Sequence, residues 1–532
     1  METRYNCTLI SERVRDHMSV KGTVAAGHNE TVKAAEIILE NGGNAFDAVV
    51  AAHFAACVCE PILASLSGGG FLMAKRESER PLLYDFFVQT PKRKNLDREI
   101  DFYPIEANFG EVTQEFHVGM ASVATPGAVK GIFEIHKDLC SMPMKDLVQP
   151  AIKLAKQGVT LNPFQSYIFD VISPILTSTK DSQSIFCNGE TGNVLQSGDH
   201  FVLTEFADLL DALAHEGEAL FYQGEIAKTI AQMSQDYPGF ISREDLQNYA
   251  VKKRKPLLVN YDSKQFFTNP APSSGGLLIA LALELIEASK AKLFNRDSVE
   301  FLSLLVEVMK QTNTARLDAH MNAKDKHLDE TILHSSFLDV YKNQVFQRAK
   351  SLRGTTHISV IDRNGSMASM TVSNGEGCGH IIPGTGVMLN NMLGEEDLNP
   401  GGFHRWKTDQ RMTSMMAPSL LLDNIGDGIA IGSGGSNRIR TAILQVLLNS
   451  CEFNMELEEA VHYPRIHFEN DSLNIENGYR PEVTEQLKKE VGKVKIWQDL
   501  NLFFGGVHAV QKHGESYHGV GDPRRGGVAQ IV

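Results

Sequence analysis

Two adjacent threonines follow a glycine in the segment "GTTHISVID", residues 354–362. A threonine hydroxyl attacks an amide carbonyl well only when a base stands beside it, and the threonine's own α-amino group can be that base. Thr355 would gain a free α-amino group if its hydroxyl attacked the Gly354 carbonyl and water then opened the resulting ester. Gly354 suits such a bond because glycine tolerates a strained backbone. By residue type alone, an ordinary strand start is the simpler interpretation.

A second candidate is the glycine-rich loop "GSGGSNR", residues 432–438, which stands between a strand-like run and a helix-like run. Backbone N–H groups at such a helix start favour negative charge, so the loop could hold a phosphate, a carboxylate or a developing oxyanion. It lacks the lysine of a phosphate-binding P-loop and does not match the dinucleotide fingerprint. Taken alone, a tight strand-to-helix turn explains its glycines better.

The other chemically capable side chains form no recognisable catalytic or metal-binding pattern. No G-x-S-x-G segment is present to seat a serine nucleophile. Cys57 and Cys59 have no second cysteine pair to complete a zinc set, so we expect buried, inert thiols on an apolar helix. Several scattered histidines lack metal-binding spacing and are expected to be structural; they are His28, His53, His117, His357, His380, His404 and His508.

Composition narrows the possible partners. The chain has 532 residues and a formal net charge of -14, which argues against nucleic acid, because nucleic-acid binders carry basic surfaces. The most apolar stretches contain Asp47 and His53 or are too short to span a bilayer, so we expect no membrane partner. The first twenty residues contain no apolar block, so we expect no signal peptide and a cytoplasmic protein. Seven cysteines, an odd and sparse set, fit reduced thiols.

The elements that must position these residues can be predicted from periodicity. Apolar residues at helical spacing over residues 29–60 predict two helices separated by Gly42 and Gly43. "SLSGGGFLMAK" is expected to enter a strand, "PSSGGLLIALALELIE" to open a helix, and residues 295–350 to be helical. From Thr355 two alternating runs joined by Asn-Gly predict a β-hairpin. Helices first, then strands and helices together, fit a layered α/β architecture.

The order of these motifs resembles the γ-glutamyltransferases, members of the N-terminal-nucleophile hydrolase superfamily. The resemblance runs nearly end to end and is carried by these segments: "GTVAAGHNETVKAAEIILENGGNAFDAVVAA", "EPILASLSGGGFLM", "TPGAVKGIFEIHKDLCSMPMKDLVQPAIKLAKQG", "PAPSSGGLLIAL", "GTTHISVIDRNGSMASMTVSNGEGCGHIIPGTGVMLNN", "MTSMMAPSLLLD", "GSGGSNRIRTAILQVLLNS" and "GVGDPRRGG". The resemblance implies an α/β (α+β) fold, a four-layered αββα sandwich. It also implies a large-subunit region, 1–354, and a small-subunit region, 355–532, released by self-cleavage at Gly354–Thr355 and forming one unit.

Carried over by position, the resemblance assigns roles to individual residues. Thr355 matches the nucleophile and Thr356 the second threonine of the motif. Ser373 stands where the family has a threonine that hydrogen-bonds the nucleophile. The oxyanion-hole pair falls on Gly435 and Ser436, or on Gly434 and Gly435 if the loop shifts by one. The substrate-binding positions fall on Thr413 and Ser414 for the α-carboxylate, on Asn374, and on Glu395, Glu396 or Asp397 for the α-amino group.

Two substrate-binding positions depart from the family pattern. Phe87 stands where the family has an arginine that clamps the donor's α-carboxylate, and a phenyl ring cannot replace a bidentate guanidinium. Met392 replaces the glutamine of the family's Asn-Asn-Gln. Arg93 or Arg438 could supply the missing positive charge from elsewhere.

The sequence therefore predicts a self-processing amidohydrolase or acyltransferase that cleaves a γ-glutamyl or related amide through an acyl-enzyme on Thr355. The expected substrate is a small amide such as glutathione, the expected product of processing is a heterodimer of the two fragments, and no metal or organic cofactor is expected. Two alternatives stay open. One is an acylase resembling the β-lactam side-chain acylases, and the other is a non-processing family member that acts as a binding protein.

Overall fold

Antiparallel strands form most of the sheet structure in this protein. The computed structural model describes residues 20–108, 113–289, 291–322, 354–399 and 401–532. The strands in chain order are β1 (Gly22–Ala26), β2 (Gly69–Lys75), β3 (Leu82–Asp85), β4 (Tyr103–Asn108), β5 (Thr113–Val118), β6 (Val159–Thr160), β7 (His200–Phe201), β8 (Lys252–Arg254), β9 (Leu257–Tyr261), β10 (Lys264–Thr268), β11 (Thr356–Asp362), β12 (Met367–Ser373), β13 (Ile381–Ile382), β14 (Val387–Met388), β15 (Ser419–Leu422), β16 (Gly428–Gly434), β17 (Ile466–Glu469), β18 (Ser472–Glu476), β19 (Val494–Trp497), β20 (Gly506–His513), β21 (Ser516–Val520) and β22 (Val528–Ile531).

Helices occupy much of the rest of the described chain. They are α1 (Asn29–Glu40), α2 (Ala45–Cys59), α3 (Ala128–Leu139), α4 (Met144–Leu147), α5 (Gln149–Gln157), α6 (Pro163–Val171), α7 (Ser173–Leu176), α8 (Lys180–Phe186), α9 (Thr204–Glu216), α10 (Ala219–Tyr222), α11 (Glu225–Asp236), α12 (Arg243–Asn248), α13 (Gly275–Ser289), α14 (Val299–Asn322), α15 (Arg438–Cys451), α16 (Leu457–His462) and α17 (Pro481–Val491). Single turns of 3-10 helix lie at Met120–Ser122, Ala291–Leu293, Met392–Gly394, Glu396–Leu398, Leu502–Phe504 and Pro523–Arg525.

Two large sheets pack face to face between helices. One has the strand order β22-β1-β11-β12-β2-β3-β8 and the other has the order β21-β20-β16-β15-β10-β9. Strand β11 packs on β16 and β20 of the other sheet, and β12 also packs on β16. Helices α1, α2 and α3 cover the outer face of the first sheet, and α13, α15 and α16 cover the second. The expected four-layered αββα sandwich is confirmed.

Alternating side chains on the first sheet enter two different hydrophobic cores. Leu72 on β2 and Ile358 on β11 join the core under helices α1 and α2. Phe71 and Ile361, on the opposite faces of the same strands, join the core between the two sheets. Because successive side chains of a strand point to opposite faces, apolar residues at every position are what a sheet buried on both faces requires.

Helix α2 is buried along its whole length. All fifteen of its residues are buried, as its nearly continuous apolar sequence requires. Its N-terminus is closed by a capping box, in which Asn44 accepts hydrogen bonds from the Phe46 and Asp47 N–H groups while Asp47 accepts from the Asn44 N–H. Its C-cap is Glu60. The two helices predicted over residues 29–60 and the break between them are confirmed.

The predicted hairpin is also confirmed. Strands β11 and β12 pair in antiparallel register from Thr356 opposite Val372 to Ile361 opposite Met367. Gly365 in the connecting turn has φ +81°, the left-handed conformation that the Asn-Gly signal predicts. The strand after "SLSGGG", the helix after "PSSGG" and a helix from Val299 are confirmed as well. Residues 323–350, predicted to continue that helix, lie outside the described residues.

The hairpin separates two strands from the N-terminal part of the chain. Strand β11 pairs with β1 on one side, and β12 pairs with β2 on the other. Strand β22, the last of the chain, pairs with the free edge of β1. In the second sheet β15 pairs with β10. Both sheets are therefore built from segments that precede and follow residue 354.

None of the described cysteines forms a disulfide, and most of them are buried; they are Cys57, Cys59, Cys140, Cys187, Cys378 and Cys451. Over the same ranges, no group of three or more His, Cys, Asp or Glu side chains is arranged to hold a metal ion. No described helix is both long and apolar enough to cross a bilayer.

A buried ion-pair cluster joins the C-terminal segment to the antiparallel strand pair β17–β18. Asp522 forms ion pairs with Arg465 at 2.7 Å and with Arg524 at 3.2 Å, and Arg524 also pairs with Glu476. Burial alone would raise the pKa of Asp522, but the two guanidinium groups bring it to about 2. The stabilisation from this carboxylate is therefore present above the ordinary pKa of an aspartate and is lost only as the pH falls toward 2.

Replacing Asp522 by asparagine is expected to lower the free energy of unfolding by about 3–5 kcal/mol, because it leaves a buried guanidinium without its counter-charge. Equilibrium urea denaturation measures this loss. The matched control is Glu225→Gln, which breaks the solvent-exposed ion pair with Lys228 and should leave the midpoint nearly unchanged. Equal midpoints for the Asp522→Asn variant and the parent chain would contradict the prediction.

Candidate active site

Thr355 lies immediately before β11 and is almost fully buried. Because the hairpin register pairs Thr356 with Val372, Thr355 comes opposite Ser373, the last residue of β12. The strand pairing thus brings together a candidate nucleophile and a hydroxyl that are 18 residues apart in the sequence.

Gly354, whose carbonyl forms the peptide bond with Thr355, is held at both of its own backbone polar atoms. The Ser373 hydroxyl donates a hydrogen bond to the Gly354 carbonyl oxygen at 2.7 Å. The Gly354 N–H donates to Glu376 Oε1 at 2.9 Å. A Cβ atom on residue 354 would lie 2.6 Å from the Gly375 carbonyl oxygen, so only glycine fits there. The Gly354 carbonyl is therefore both fixed and polarised by a hydroxyl donor.

The glycine-rich loop lies directly against Thr355. Strand β16 ends at Gly434, where a Cβ atom would lie 2.2 Å from the Thr355 carbonyl oxygen. Gly435 and Ser436 follow with φ values of +118° and +52°, and this left-handed turn leads into α15 at Arg438. Both possible oxyanion-hole pairs, Gly434 with Gly435 and Gly435 with Ser436, thus belong to a turn adjoining Thr355.

A small pocket opens beside the candidate nucleophile. Its volume is about 30 Å³, which is room for a water molecule rather than a substrate. The described residues that line it are Phe87, Thr355, Ser373, Met392, Glu395, Asp397, Leu398, Ser414, Met415, Met416, Ser436 and Ile439. Six of the residues that the sequence singled out, Thr355, Ser373, Glu395, Asp397, Ser414 and Ser436, therefore come together here.

The local backbone geometry buries two of the three consecutive acidic residues at positions 395–397 and exposes the third. Glu395 and Asp397 are buried, whereas Glu396 between them is exposed. Asp397 Oδ2 accepts a hydrogen bond from the Ser436 hydroxyl at 2.8 Å, which ties the acidic turn to the glycine-rich loop.

The remaining predicted positions lie outside the pocket lining. The Asn374 side-chain amide donates to the Met388 carbonyl oxygen at 3.3 Å. Thr413 precedes Ser414 but does not line the pocket. The Thr356 hydroxyl donates to Glu60 at 2.9 Å, on the side of the hairpin that faces α2.

Among the described residues that line the pocket, no cation replaces the arginine that the family pattern leads one to expect. Phe87 lines the pocket and stacks on Phe71 with ring centroids 5.5 Å apart. Arg93 is exposed, with 85% of its side chain accessible, and Arg438 lies over the Phe503 ring at 4.2 Å. Neither arginine is among the twelve described residues that line the pocket, and no other Lys or Arg is.

His357, two residues beyond Thr355, is engaged elsewhere. Its Nδ1 and Nε2 atoms form hydrogen bonds of 2.8 Å with the hydroxyls of Thr371 and Ser359. Burial lowers its pKa well below the ordinary value. The ring is therefore a neutral structural group, as expected from the sequence, and does not serve as a base for Thr355.

Several residues of the site were not predicted from the sequence. Glu376 lies within "NGEGCG", where the glycines suggested only backbone flexibility. Leu398, Met415, Met416 and Ile439 supply most of the apolar wall. The motifs that contain these residues resemble the family, but the resemblance did not indicate that their side chains line the pocket.

Comparison with known proteins finds a matching family model and several similar proteins. The family model for gamma-glutamyltranspeptidase matches residues 31–532. The chain is 30% identical to a glutathione hydrolase proenzyme of Pseudomonas aeruginosa, over 96% of this chain and 94% of that protein. It is 28% identical to the acylase ACY 1 proenzyme of Pseudomonas sp. (strain V22), over 88% and 86%. The crystal structure of cephalosporin acylase from Bacillus halodurans has a similar fold, with a TM-score of 0.83, 20% identity and 99% coverage of both chains.

Proposed function

Because the chain belongs to the γ-glutamyltranspeptidase family, we propose that it cuts itself between Gly354 and Thr355 and then uses the new N-terminal threonine to cleave small amides. The observation that carries this proposal is the hold on Gly354: its carbonyl, which belongs to the peptide bond with Thr355, accepts from Ser373, and its own N–H donates to Glu376. A binding protein without catalysis would need none of this arrangement.

Self-cleavage is a transfer of the Gly354 acyl group from nitrogen to oxygen. The Thr355 Oγ1 atom attacks the Gly354 carbonyl carbon, and the negative charge that develops on the carbonyl oxygen is stabilised by the Ser373 hydroxyl, which already lies 2.7 Å away. The C–N bond breaks, and the threonine nitrogen takes up the proton lost from the hydroxyl. Water then hydrolyses the ester, which yields a Gly354 carboxylate and a free α-amino group on Thr355.

The same hydroxyl then acts on substrates. The neutral α-amino group of Thr355 accepts the hydroxyl proton as Oγ1 attacks a substrate amide carbonyl. Backbone N–H groups of the Gly434–Ser436 turn stabilise the oxyanion, and the amine returns the proton to the leaving nitrogen. Water, or a second amine, resolves the acyl-enzyme, so that hydrolysis and transfer share one intermediate.

We expect the two fragments to remain together as a heterodimer. Strands β11 and β12 of the later fragment pair with β1 and β2 of the earlier one, and neither pairing includes the peptide bond that is cut. No new contact is needed to hold the halves after processing.

For the substrate, we propose γ-glutamyl compounds, of which glutathione is one; several relatives are glutathione hydrolase proenzymes. A second candidate is an acylase that acts on amides of other acids. This candidate is favoured by Phe87, which stands in place of the expected arginine, and by the apolar wall of the pocket. None of the described lining residues is Lys or Arg.

The α-carboxylate of a γ-glutamyl substrate is expected to contribute little to catalysis. A buried carboxylate without a cationic partner gains little binding energy, because desolvation offsets neutral hydrogen bonds. Removing it, by replacing γ-glutamyl-p-nitroanilide with 4-aminobutanoyl-p-nitroanilide, should therefore change kcat/KM by less than about threefold. A loss of tenfold or more would contradict this prediction and would exclude the acylase candidate.

The matched variant is Phe87→Arg, which returns a guanidinium to the position that the family pattern assigns to it. The ratio of kcat/KM for the γ-glutamyl over the 4-aminobutanoyl anilide should rise about tenfold or more, since charge-assisted bidentate pairing distinguishes the two substrates. Both rates are measured on one preparation, so a loss of folded protein cancels from the ratio.

A further inference from the structure

Glu60 is a buried carboxylate directly behind the two threonines. It is the C-cap of α2 and is only 6% exposed. Its Oε1 atom accepts a hydrogen bond from the Thr356 hydroxyl at 2.9 Å, and its Oε2 atom accepts one from the Thr31 hydroxyl at 3.1 Å. A Cβ atom on Gly27 would lie 2.4 Å from Oε1, so the neighbouring strand end leaves room for the carboxylate only because it carries glycine.

This position is energetically unfavourable for a negative charge. The C-terminus of a helix carries the negative end of its dipole, and burial removes water from the carboxylate. Burial raises the pKa of Glu60 to about 7, against the opposing effects of the Thr356 and Thr31 hydrogen bonds and the Arg525 charge. An ionisable group kept under such conditions beside a nucleophile is a candidate for a functional role.

Arg525 supplies the opposite charge on the other side of the dipeptide. Its Nη1 atom donates to the Thr355 carbonyl oxygen at 3.3 Å, and its side chain is 3% exposed. Its Nε and Nη2 atoms have no hydrogen-bond partner among the described residues. Burial lowers the pKa of Arg525 to about 10, so the guanidinium stays charged at neutral pH.

We propose that ionised Glu60 is a positioning residue for the nucleophile: it holds the Thr356 hydroxyl and balances the Arg525 charge that holds the Thr355 carbonyl. This inference rests on the proposed role of Thr355. It assigns to the second threonine of the motif a defined task, which is to connect the backbone of the nucleophile to a carboxylate on α2.

The surroundings of Glu60 contain few other groups that change charge near neutral pH. Burial raises the pKa values of Cys57 and Cys59 and lowers that of His28 to about 4. Asp522, which acts on Arg525, has a pKa of about 2 despite its burial. Among these side chains only Glu60 ionises near pH 7, so the positioning is expected to be lost as the pH falls through that value. The α-amino group that self-cleavage gives Thr355 also ionises in this range, so the acid limb of kcat contains both groups and only the part set by Glu60 should respond to Thr31.

The test is the acid side of the pH dependence of kcat in Thr31→Val. Valine has the shape of threonine but cannot donate to Oε2, so the carboxylate loses one stabilising hydrogen bond and its pKa rises. The midpoint of the acid limb should move upward by about 0.5–1 on the pH scale. Thr31→Ser keeps the hydroxyl and should keep the midpoint of the parent enzyme.

Glu60→Gln identifies the group that titrates. This variant should lower kcat about 10- to 100-fold, because a misplaced nucleophile reacts slowly. The double variant Glu60→Gln/Thr31→Val should have the same acid-limb midpoint as Glu60→Gln alone. In both variants the group on which Thr31 acts no longer ionises.

Two results would overturn the inference: equal midpoints for Thr31→Val and Thr31→Ser, or an upward movement that persists in the Glu60→Gln background. If the Glu60→Gln chain does not cut itself, the difference in acid-limb midpoint between Thr31→Val and Thr31→Ser is by itself the test of the inference. Failure of the proposed function looks different, because the parent chain would then lack self-cleavage or amidase activity altogether. If the parent enzyme is active but the midpoint of its acid limb is the same in the Thr31 variants, only the role of Glu60 is contradicted.

Discussion

A Thr355→Ala chain is expected to remain a single 532-residue polypeptide, whereas the parent chain yields two fragments, residues 1–354 and 355–532. Alanine offers no hydroxyl to attack the Gly354 carbonyl, and without the cut no α-amino group forms beside the nucleophile's position. Amide hydrolysis should fall by at least about 10³-fold, the order of loss seen when an activated nucleophile is removed. A denaturing gel and the intact masses measure the cleavage.

The control for this variant is Thr355→Ser, which keeps a hydroxyl and should still cut at the same bond. Thr356→Ala keeps the Thr355 hydroxyl and should still cut after Gly354, although more slowly, because Glu60 loses its hydrogen bond to the dipeptide. An uncut parent chain after prolonged incubation would refute the proposed function, as would a cut at another bond. A Thr355→Ala chain that still cleaves between residues 354 and 355 would show that the nucleophile lies elsewhere.

A Ser373→Ala chain is expected to cut itself about 10²- to 10³-fold more slowly than the parent. The Ser373 hydroxyl donates to the Gly354 carbonyl oxygen at 2.7 Å, so it already lies where the oxyanion of self-cleavage develops. Loss of one such donor typically costs about 2.7–4 kcal/mol of transition-state stabilisation. Cell-free synthesis followed by sampling over time measures the rate from newly made, uncut chain.

Ser373→Thr is the matched variant, because it keeps the donor and restores the residue type of the family pattern. It should cut within about tenfold of the parent rate. Equal rates for Ser373→Ala and the parent chain would mean that the hydrogen bond to Gly354 plays no part in self-cleavage.

The parts of this structure that were predictable from the sequence are those with local signals. The β11–β12 hairpin follows from an Asn-Gly turn between alternating runs, and the two helices over residues 29–60 follow from apolar spacing and the glycines between them. The glycine-rich loop was recognisable because a strand and a helix flank it within a few residues. Each of these signals is contained in a short window of sequence.

The contacts within the site could not be predicted in this way, because they join distant parts of the chain. Glu60 meets Thr356 across 296 positions of sequence, and Arg525 meets Thr355 across 170. The family motifs identified the correct segments but did not predict which side chain of each segment faces the candidate nucleophile. The acidic run at residues 395–397 is an example, since only the local turn decides that Glu396 points to solvent.

The interleaved sheets determine what kind of stability the processed enzyme has. If the chain is cut after Gly354 as we propose, strands β11 and β12 remain inserted between β1 and β2, but the link that brought them there during folding is gone. If the two fragments were ever to unfold and diffuse apart, each would have to find the other and fill an internal gap in its sheet rather than add to an edge. The persistence of the mature enzyme is then governed by how slowly it comes apart rather than by an equilibrium with its unfolded halves, so that each molecule is assembled only once.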